Sequence, residues 1–230
     1  MTDVIAHRGA HLYQRENTVA AFREALRLKV DGVELDVRRT LDGALVVHHD
    51  RDVAGEAIAA SQADDLPAYV PSLEEAMDVL RGARVNVEIK NSPSEGEAYD
   101  ATGSLGRDVV ECLRRTTLTS LVTVSSFDLA TCDRVRAYDP SIRVAWIVDE
   151  IPLVEALRVA HEHGLYGVNP QFGLVTPETQ RVARVFELAT CAWTVNKARH
   201  IQAMAALGVD GVITDQPALA LELLGDAPRG

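Results

Sequence analysis

The segment "GVELDVRRTLDGALVVHHD" occupies residues 32–50. Its first half alternates. Val33, Leu35 and Val37 take one side of an extended chain, and Glu34 and Asp36 take the other, because side chains two residues apart share a strand face. "LDGA" is then a turn signal, and a second apolar run, "ALVVHHD" (44–50), ends in His49 and Asp50. The segment therefore predicts a strand followed by a hairpin strand, with carboxylates where a buried strand would carry aliphatic residues.

The same strand signal recurs along the chain. Runs predicting strands are "VIAH" (4–7), "GVELDV" (32–37), "VNVEIK" (85–90), "LVTVSS" (121–126), "RVAWIV" (143–148), "YGVN" (166–169), "CAWTVN" (191–196) and "GVIT" (211–214). Amphipathic stretches between them carry helix signals. Asn17 is placed to cap "TVAAFREALRLK", Ser72 and Glu75 fit a capping box with Gly82 ending that helix, and Thr176–Pro177 reads as N-cap and first helical residue. Gly164 and Gly208 stand where helix-terminating glycines belong. Eight strand–helix units predict an α/β fold, a single (β/α)8 TIM barrel over residues 1–230, with the ninth run as a hairpin in the loop after strand two. A doubly wound open sheet has the same local pattern, but no G-x-G-x-x-G follows any strand. The polar stretch "NSPSEGEAYDATGSLG" (91–106) reads as a mobile loop, and residues 51–70 as a loop with a short helix.

Composition narrows the function. Of 230 residues 47% are apolar but only 5% aromatic, so the core is aliphatic; 23 basic against 34 acidic residues leave a net charge of −11, unsuited to nucleic acid or anionic membranes. An anionic ligand then needs local positive charge from a metal or placed Arg and Lys. Cys112, Cys132 and Cys191 are odd in number and widely spaced, which predicts reduced thiols. No signal peptide or membrane span is evident, so the expectation is a soluble, cytoplasmic protein, and oligomeric state is silent.

Active sites of such barrels gather at the C-terminal strand ends. There the sequence places His7 and Arg8, Glu34 and Asp36, His49 and Asp50, Glu88 and Lys90, Trp193 and Asn196, and Thr214 and Asp215. Three converging carboxylates repel one another unless a cation joins them, and an all-oxygen set suits Mg2+ or Ca2+. Two histidines supply acid–base chemistry near neutral pH, and Arg8 and Lys90 hold an anion. That set of groups matches phosphoester cleavage. A carboxylate pair on a strand is commonly an exposed face or a salt bridge, a lone histidine a structural hydrogen-bonder, and a tryptophan core packing; it is the coincidence that calls for chemistry. His11, His48, His161, His163 and His200 read as surface residues.

"AHRGA", "ENTVAAF", "GVELDVRRTLDGALVVHHD", "PSLEEAM", "VNVEIK", "SSF", "AWTVN" and "GVDGVITDQP" occur in an order that resembles the glycerophosphodiester phosphodiesterases across nearly the whole chain. The resemblance implies a (β/α)8 barrel that hydrolyses glycerophosphodiesters to sn-glycerol 3-phosphate and an alcohol. It further implies that Glu34, Asp36 and Glu88 bind one Mg2+ or Ca2+, that His7 and His49 are the acid–base pair, that Arg8 and Lys90 contact the phosphate, and that Trp193 lines the pocket. Glu16 and Asn17 would support the first loop. The chain departs from the family pattern after Asp50, where it reads "RDVAGEAIAAS" with only about 20 residues before Pro71, which implies a thinly covered site; Gln216 also stands where an aromatic is common. Two other readings use the same residues: a lysophospholipase D or sphingomyelinase D-like phosphodiesterase acting on a lipid, and a barrel that only binds a phosphorylated ligand.

Overall fold

A computed structural model describes residues 1–116 and 119–225. Nine strands form one sheet: β1 (Asp3–Ala6), β2 (Gly32–Arg39), β3 (Leu45–Val47), β4 (Arg84–Ile89), β5 (Val122–Ser126), β6 (Arg143–Val148), β7 (Gly167–Pro170), β8 (Ala189–Ala192) and β9 (Gly211–Thr214). All but β3 run parallel, and β1 pairs with both β2 and β9, so eight strands close into a barrel. β3 hangs antiparallel on the outer end of β2, with Val37 opposite Val47. It is the hairpin strand that the sequence predicts.

Eight helices follow the barrel strands: α1 (Val19–Leu28), α2 (Leu73–Val79), α3 (Ser104–Thr116), α4 (Leu129–Tyr138), α5 (Leu153–Glu162), α6 (Pro177–Val185), α7 (Ala198–Leu207) and α8 (Pro217–Leu224). Outward strand residues such as Val33, Leu35, Val85 and Val87 meet buried helix residues such as Phe22, Met77 and Val109 in one aliphatic core. Removing this much apolar surface from water is the main force holding barrel and helices together. None of these helices is long and apolar enough to cross a membrane.

The capping signals are largely where the sequence puts them. Ser72 with Glu75 closes a capping box on α2, and Thr176 caps α6 with Pro177 in the first turn. Three details differ. Thr18, not Asn17, caps α1; Asn17 is turned into the left-handed region (φ 55°) for another purpose. The strand expected over 191–196 is β8, which starts two residues earlier and ends four residues earlier, leaving Trp193 just beyond its end. Residues 91–106 are held rather than loose. Asn91 bridges Asp100 and Thr131, and Asp100 accepts from the Leu105 amide (2.6 Å) and from Ser104 at the start of α3.

Small residues open the lumen near the strand starts, where Gly32, Gly167, Gly211 and Ala145 leave a hollow of about 110 Å³. Gly167 is forced by packing, since a Cβ there would lie 2.4 Å from the Ala189 carbonyl oxygen on the neighbouring strand. Gly167→Ala is expected to lower stability by about 1–3 kcal/mol, because backbone atoms have to separate. An unchanged unfolding midpoint in denaturant would contradict this β7–β8 register.

Candidate active site

The β2–β4 register decides which side chains meet. Glu34 pairs with Asn86, and Asp36 with Glu88. Both strands therefore aim a carboxylate pair or near-pair into one end of the lumen, and candidate ligand oxygens of Glu34, Asp36 and Glu88 lie within 4.8 Å of one another. Glu34 and Asp36 are 2% and 1% exposed. The alternation continues one step further on each strand, so that Glu34–Asp36–Arg38 and Asn86–Glu88–Lys90 form two ladders of polar residues on one face.

Three buried carboxylates are costly to ionise together. Burial, then the charges of Asp36 and Glu88, drive Glu34 well above the ordinary carboxylate range. Burial lifts Glu88 to about 7 despite the adjacent Lys90 ammonium. Burial acts the same way on Asp36, but Lys90, Arg8 and His49 outweigh it and hold it at about 2. Lys90 Nζ stands 3.0 Å from Asp36 Oδ1 and 2.6 Å from Glu88 Oε1, and Arg8 Nε stands 3.4 Å from Asp36 Oδ2.

These contacts do not complete the site. Glu34 Oε1 and Asn86 Oδ1, from the paired position on β4, have no hydrogen-bond partner, and Asp36 Oδ1 and Glu88 Oε1 both depend on the single Lys90 ammonium. Buried oxygens left this way at the centre of a negative cluster fit a divalent cation, which takes carboxylate and amide oxygens as ligands.

The first loop is built around the same carboxylates. Arg8 (φ 56°) and Gly9 (φ 79°) are both left-handed, and a Cβ at Gly9 would lie 2.8 Å from Ala21 backbone and side-chain atoms. This turn lets the Arg8 amide donate to Glu34 Oε2 (2.9 Å) while the guanidinium donates to both oxygens of Glu16 (2.9 and 3.0 Å). The left-handed turn at Asn17 lets its side chain donate to Asp36 Oδ2 (2.7 Å), with its own amide on the Arg8 carbonyl (3.0 Å). Glu16 and Asn17 thus support the loop, as expected.

The two histidines have matching supports. His7 Nδ1 is 2.6 Å from Asp215 Oδ1, and His49 Nδ1 is 2.8 Å from Asp50 Oδ1. An ionised carboxylate only accepts, so each Nδ1 carries hydrogen and each Nε2 is the nitrogen able to take up a proton. His7 Nε2 faces Glu34 Oε2 at 4.0 Å. Burial would raise Asp215, but hydrogen bonds from His11 and His7 pull it well below the usual range. Burial and the Lys90 charge lower His49.

His7, Arg8, Glu34, His49, Glu88, Lys90 and Trp193 line one hollow of about 120 Å³, walled on its apolar side by Phe127, Ile147 and Ile213. Trp193 meets Phe127 edge to face (85°, centroids 5.4 Å apart) and donates from Nε1 to the Asn169 carbonyl (2.8 Å). Asp36 lies beneath the hollow, in contact with Lys90 and Arg8.

The sequence reading leaves out His11 and Arg38, and it gives the strand-end residues Asp215 and Asn196 no role. His11, expected at the surface, sets Nε2 2.8 Å from the Asp215 oxygen that His7 uses. Asp215 itself is oriented by Asn196 Nδ2 (2.6 Å). Arg38 is buried and donates from Nε (2.9 Å) and Nη2 (2.7 Å) to the His49 carbonyl, while Nη1 donates to Glu95 (2.9 Å). The i, i+2, i+4 spacing from Glu34 is a signal that singles Arg38 out. Of the other histidines, His163 pairs with Asp133, and His161 and His200 pack on Phe186 and Phe172.

The charge balance predicts a pH dependence. Glu88 has a folded value of about 7 against an ordinary 4.5, so the folded chain holds a proton the unfolded chain has released. Its contribution to metal-free stability is full below about pH 4.5 and is lost as pH rises through about 7. Glu34 acts in the same direction. A divalent cation competes with these protons and reverses the trend. Melting temperatures from pH 5 to 8, with chelator and with added cation, are expected to diverge as pH rises; parallel curves would rule out a cation site at this cluster.

Comparison with known proteins gives one consistent result. Residues 7–219 match the model of the glycerophosphoryl diester phosphodiesterase family. A glycerophosphodiester phosphodiesterase of Caldanaerobacter subterraneus subsp. tengcongensis is 28% identical over 244 residues, covering 97% of this chain and 98% of its own. The crystal structure of a glycerophosphodiester phosphodiesterase from Parabacteroides distasonis superposes with a TM-score of 0.84 at 25% identity, covering 99% of this chain and 98% of that one. An Oleispira antarctica phosphodiesterase solved with its product sn-glycerol-3-phosphate has the same fold (TM-score 0.88, 22% identity, 98% of each chain). With the family model spanning nearly the whole barrel, the chain belongs to the glycerophosphoryl diester phosphodiesterase family.

Proposed function

We propose that this enzyme hydrolyses glycerophosphodiesters to sn-glycerol 3-phosphate and an alcohol at the hollow between His7, His49 and the Glu34–Asp36–Glu88 cluster. The observation that carries the reading is that two histidines, each with Nδ1 on an aspartate, line one hollow with Glu34 and Glu88, whose ligand oxygens cluster with those of the buried Asp36. The product bound to the Oleispira antarctica enzyme supports the substrate class.

Glu34, Asp36 and Glu88 would hold one Mg2+ or Ca2+. When bound, the ion polarises a phosphoryl oxygen and stabilises developing negative charge. It would also shift, by two units, the charge of a cluster in which Glu34, Asp36, Glu88 and the Arg8 partner Glu16 outnumber Arg8 and Lys90, toward what a phosphodiester monoanion needs. Arg8 and Lys90 then hold phosphate oxygens, and Trp193 covers the carbon face of the glycerol group. One histidine takes the proton of the attacking hydroxyl through Nε2, and the other protonates the departing alkoxide. Asp215 and Asp50 keep both rings in the working tautomer and stabilise whichever is charged. Arg38 fixes the main chain of His49, so its influence passes through that residue.

Release of glycerol phosphate from glycerophosphocholine is expected in the presence of Mg2+ or Ca2+ and to be lost with chelator. His49→Ala is expected to lower kcat by about 100-fold or more, and full activity in that variant would sink the mechanism. Asp215→Asn, which supplies a donor where Nδ1 needs an acceptor, is expected to lower kcat at least about tenfold with little change in melting temperature. Arg38→Gln is expected to lower kcat in the wild type but to cost nothing further in His49→Ala, since residues acting as a unit are not additive. Additive losses would show that Arg38 acts elsewhere.

A further inference from the structure

A phosphodiester carries two organic groups, and the hollow beside Trp193 accounts for one. A second hollow, of about 310 Å³, opens on the other side of His49, Glu88 and Lys90. Those three residues and Phe127 line both hollows, so the place where a phosphate meets Lys90 lies at their junction. The second hollow is shaped by the loop after β4, which contributes Ser92, Ser94 and Glu95, and by Arg38 of β2.

The chemistry of that lining is specific. Both carboxylates described in it are ion-paired: Glu95 Oε2 accepts from Arg38 Nη1 at 2.9 Å, and Glu88 Oε1 lies 2.6 Å from Lys90 Nζ, which also reaches Asp36. Among the described residues of the lining, Arg38 and Lys90 balance Glu88 and Glu95, which leaves no net negative charge for a cationic group. Phe127 is the single aromatic in the lining, and its ring already packs against Trp193, so there is no aromatic cage for a quaternary ammonium. What the hollow does offer is hydroxyl chemistry. Ser92 Oγ and Ser94 Oγ lie 2.6 Å apart at the partly exposed rim, and a hydroxyl both donates and accepts. The loop that presents them is pinned, by Glu95 on Arg38 and by Asn91 on Asp100 and Thr131, so the pair is preorganised.

We propose that this second hollow seats the alcohol group of the diester, and that it selects an uncharged, hydroxyl-bearing alcohol over a quaternary ammonium one, with Ser92 and Ser94 as the specificity-determining residues. The proposal rests on the phosphodiesterase reading above and adds the class of leaving group to it. A trimethylammonium group neither donates nor accepts hydrogen bonds, so it gains nothing from the serine pair and displaces the water that solvates it. A glycerol-like alcohol replaces that water with direct hydrogen bonds.

The test compares glycerophosphoglycerol with glycerophosphocholine on the metal-loaded, full-length enzyme, by kcat/KM for release of glycerol phosphate. The expected result is a preference of roughly tenfold or more for glycerophosphoglycerol, the scale of one or two hydrogen bonds between neutral groups. In the Ser92→Ala/Ser94→Ala double variant the ratio is expected to fall close to one. Both positions lie at the rim, and an unchanged melting temperature checks that the variant is folded. A wild-type preference for the choline ester, or a ratio that survives loss of both hydroxyls, overturns the proposal while leaving the phosphodiesterase reading intact. Hydrolysis of neither ester overturns both.

Discussion

Glu34, Asp36 and Glu88 are confined to one end of a lumen whose walls are backbone and aliphatic carbon, and they cannot all stay ionised there unaided. Much of the surrounding architecture answers that repulsion. Lys90 directly follows the strand that carries Glu88 and reaches two of the three carboxylates. Arg8 offers its amide to one and its guanidinium to another. Asn17 spends its amide on Asp36 instead of capping α1. The remaining imbalance is one that a divalent ion bound to the three oxygens would remove.

The loop after β1 shows what this arrangement demands of the backbone. Two consecutive left-handed residues, Arg8 and Gly9, are followed by a third at Asn17. Gly9 adopts its angles without a Cβ penalty and has no room for one, while Arg8 does so at some cost in strain. The return is geometric, since only this turn brings an amide and a guanidinium from one residue onto neighbouring carboxylates. A comparable economy appears at Arg38, where one side chain ties the main chain of His49 to the loop after β4.

Much of this was legible in the sequence. The alternation in "GVELDV" and "VNVEIK" announces strands with a polar face, and the two-residue period alone places Glu34 with Asp36 and Glu88 with Lys90 on common faces. What the period does not show is register, and it is the pairing of Asp36 with Glu88 that turns two faces into one cluster. Arg38 belongs to the same period, but beside Arg39 the sequence equally fits the charged end of a strand. Asn17 misled for a different reason. As a residue type it suits both a helix cap and a left-handed turn, and only the buried Asp36 across the loop decides between them. His11 gave no local signal, because its partner lies 204 positions away. The polar stretch after β4 looked loose by composition, yet its Ser, Asn and Asp residues are the ones that tie it down.

The contact between His7 and Asp215 spans 208 positions and forms where β1 and β9, the first and last strands of the barrel, zip together. On the ribosome His7 is made long before Asp215. A nascent chain that ends between Lys90 and Asp215 carries the histidine, the carboxylate cluster and the hairpin without the aspartate on which His7 Nδ1 rests. Closure of the barrel and the seating of His7 on Asp215 are therefore one event, and that contact exists only once the last strand has arrived.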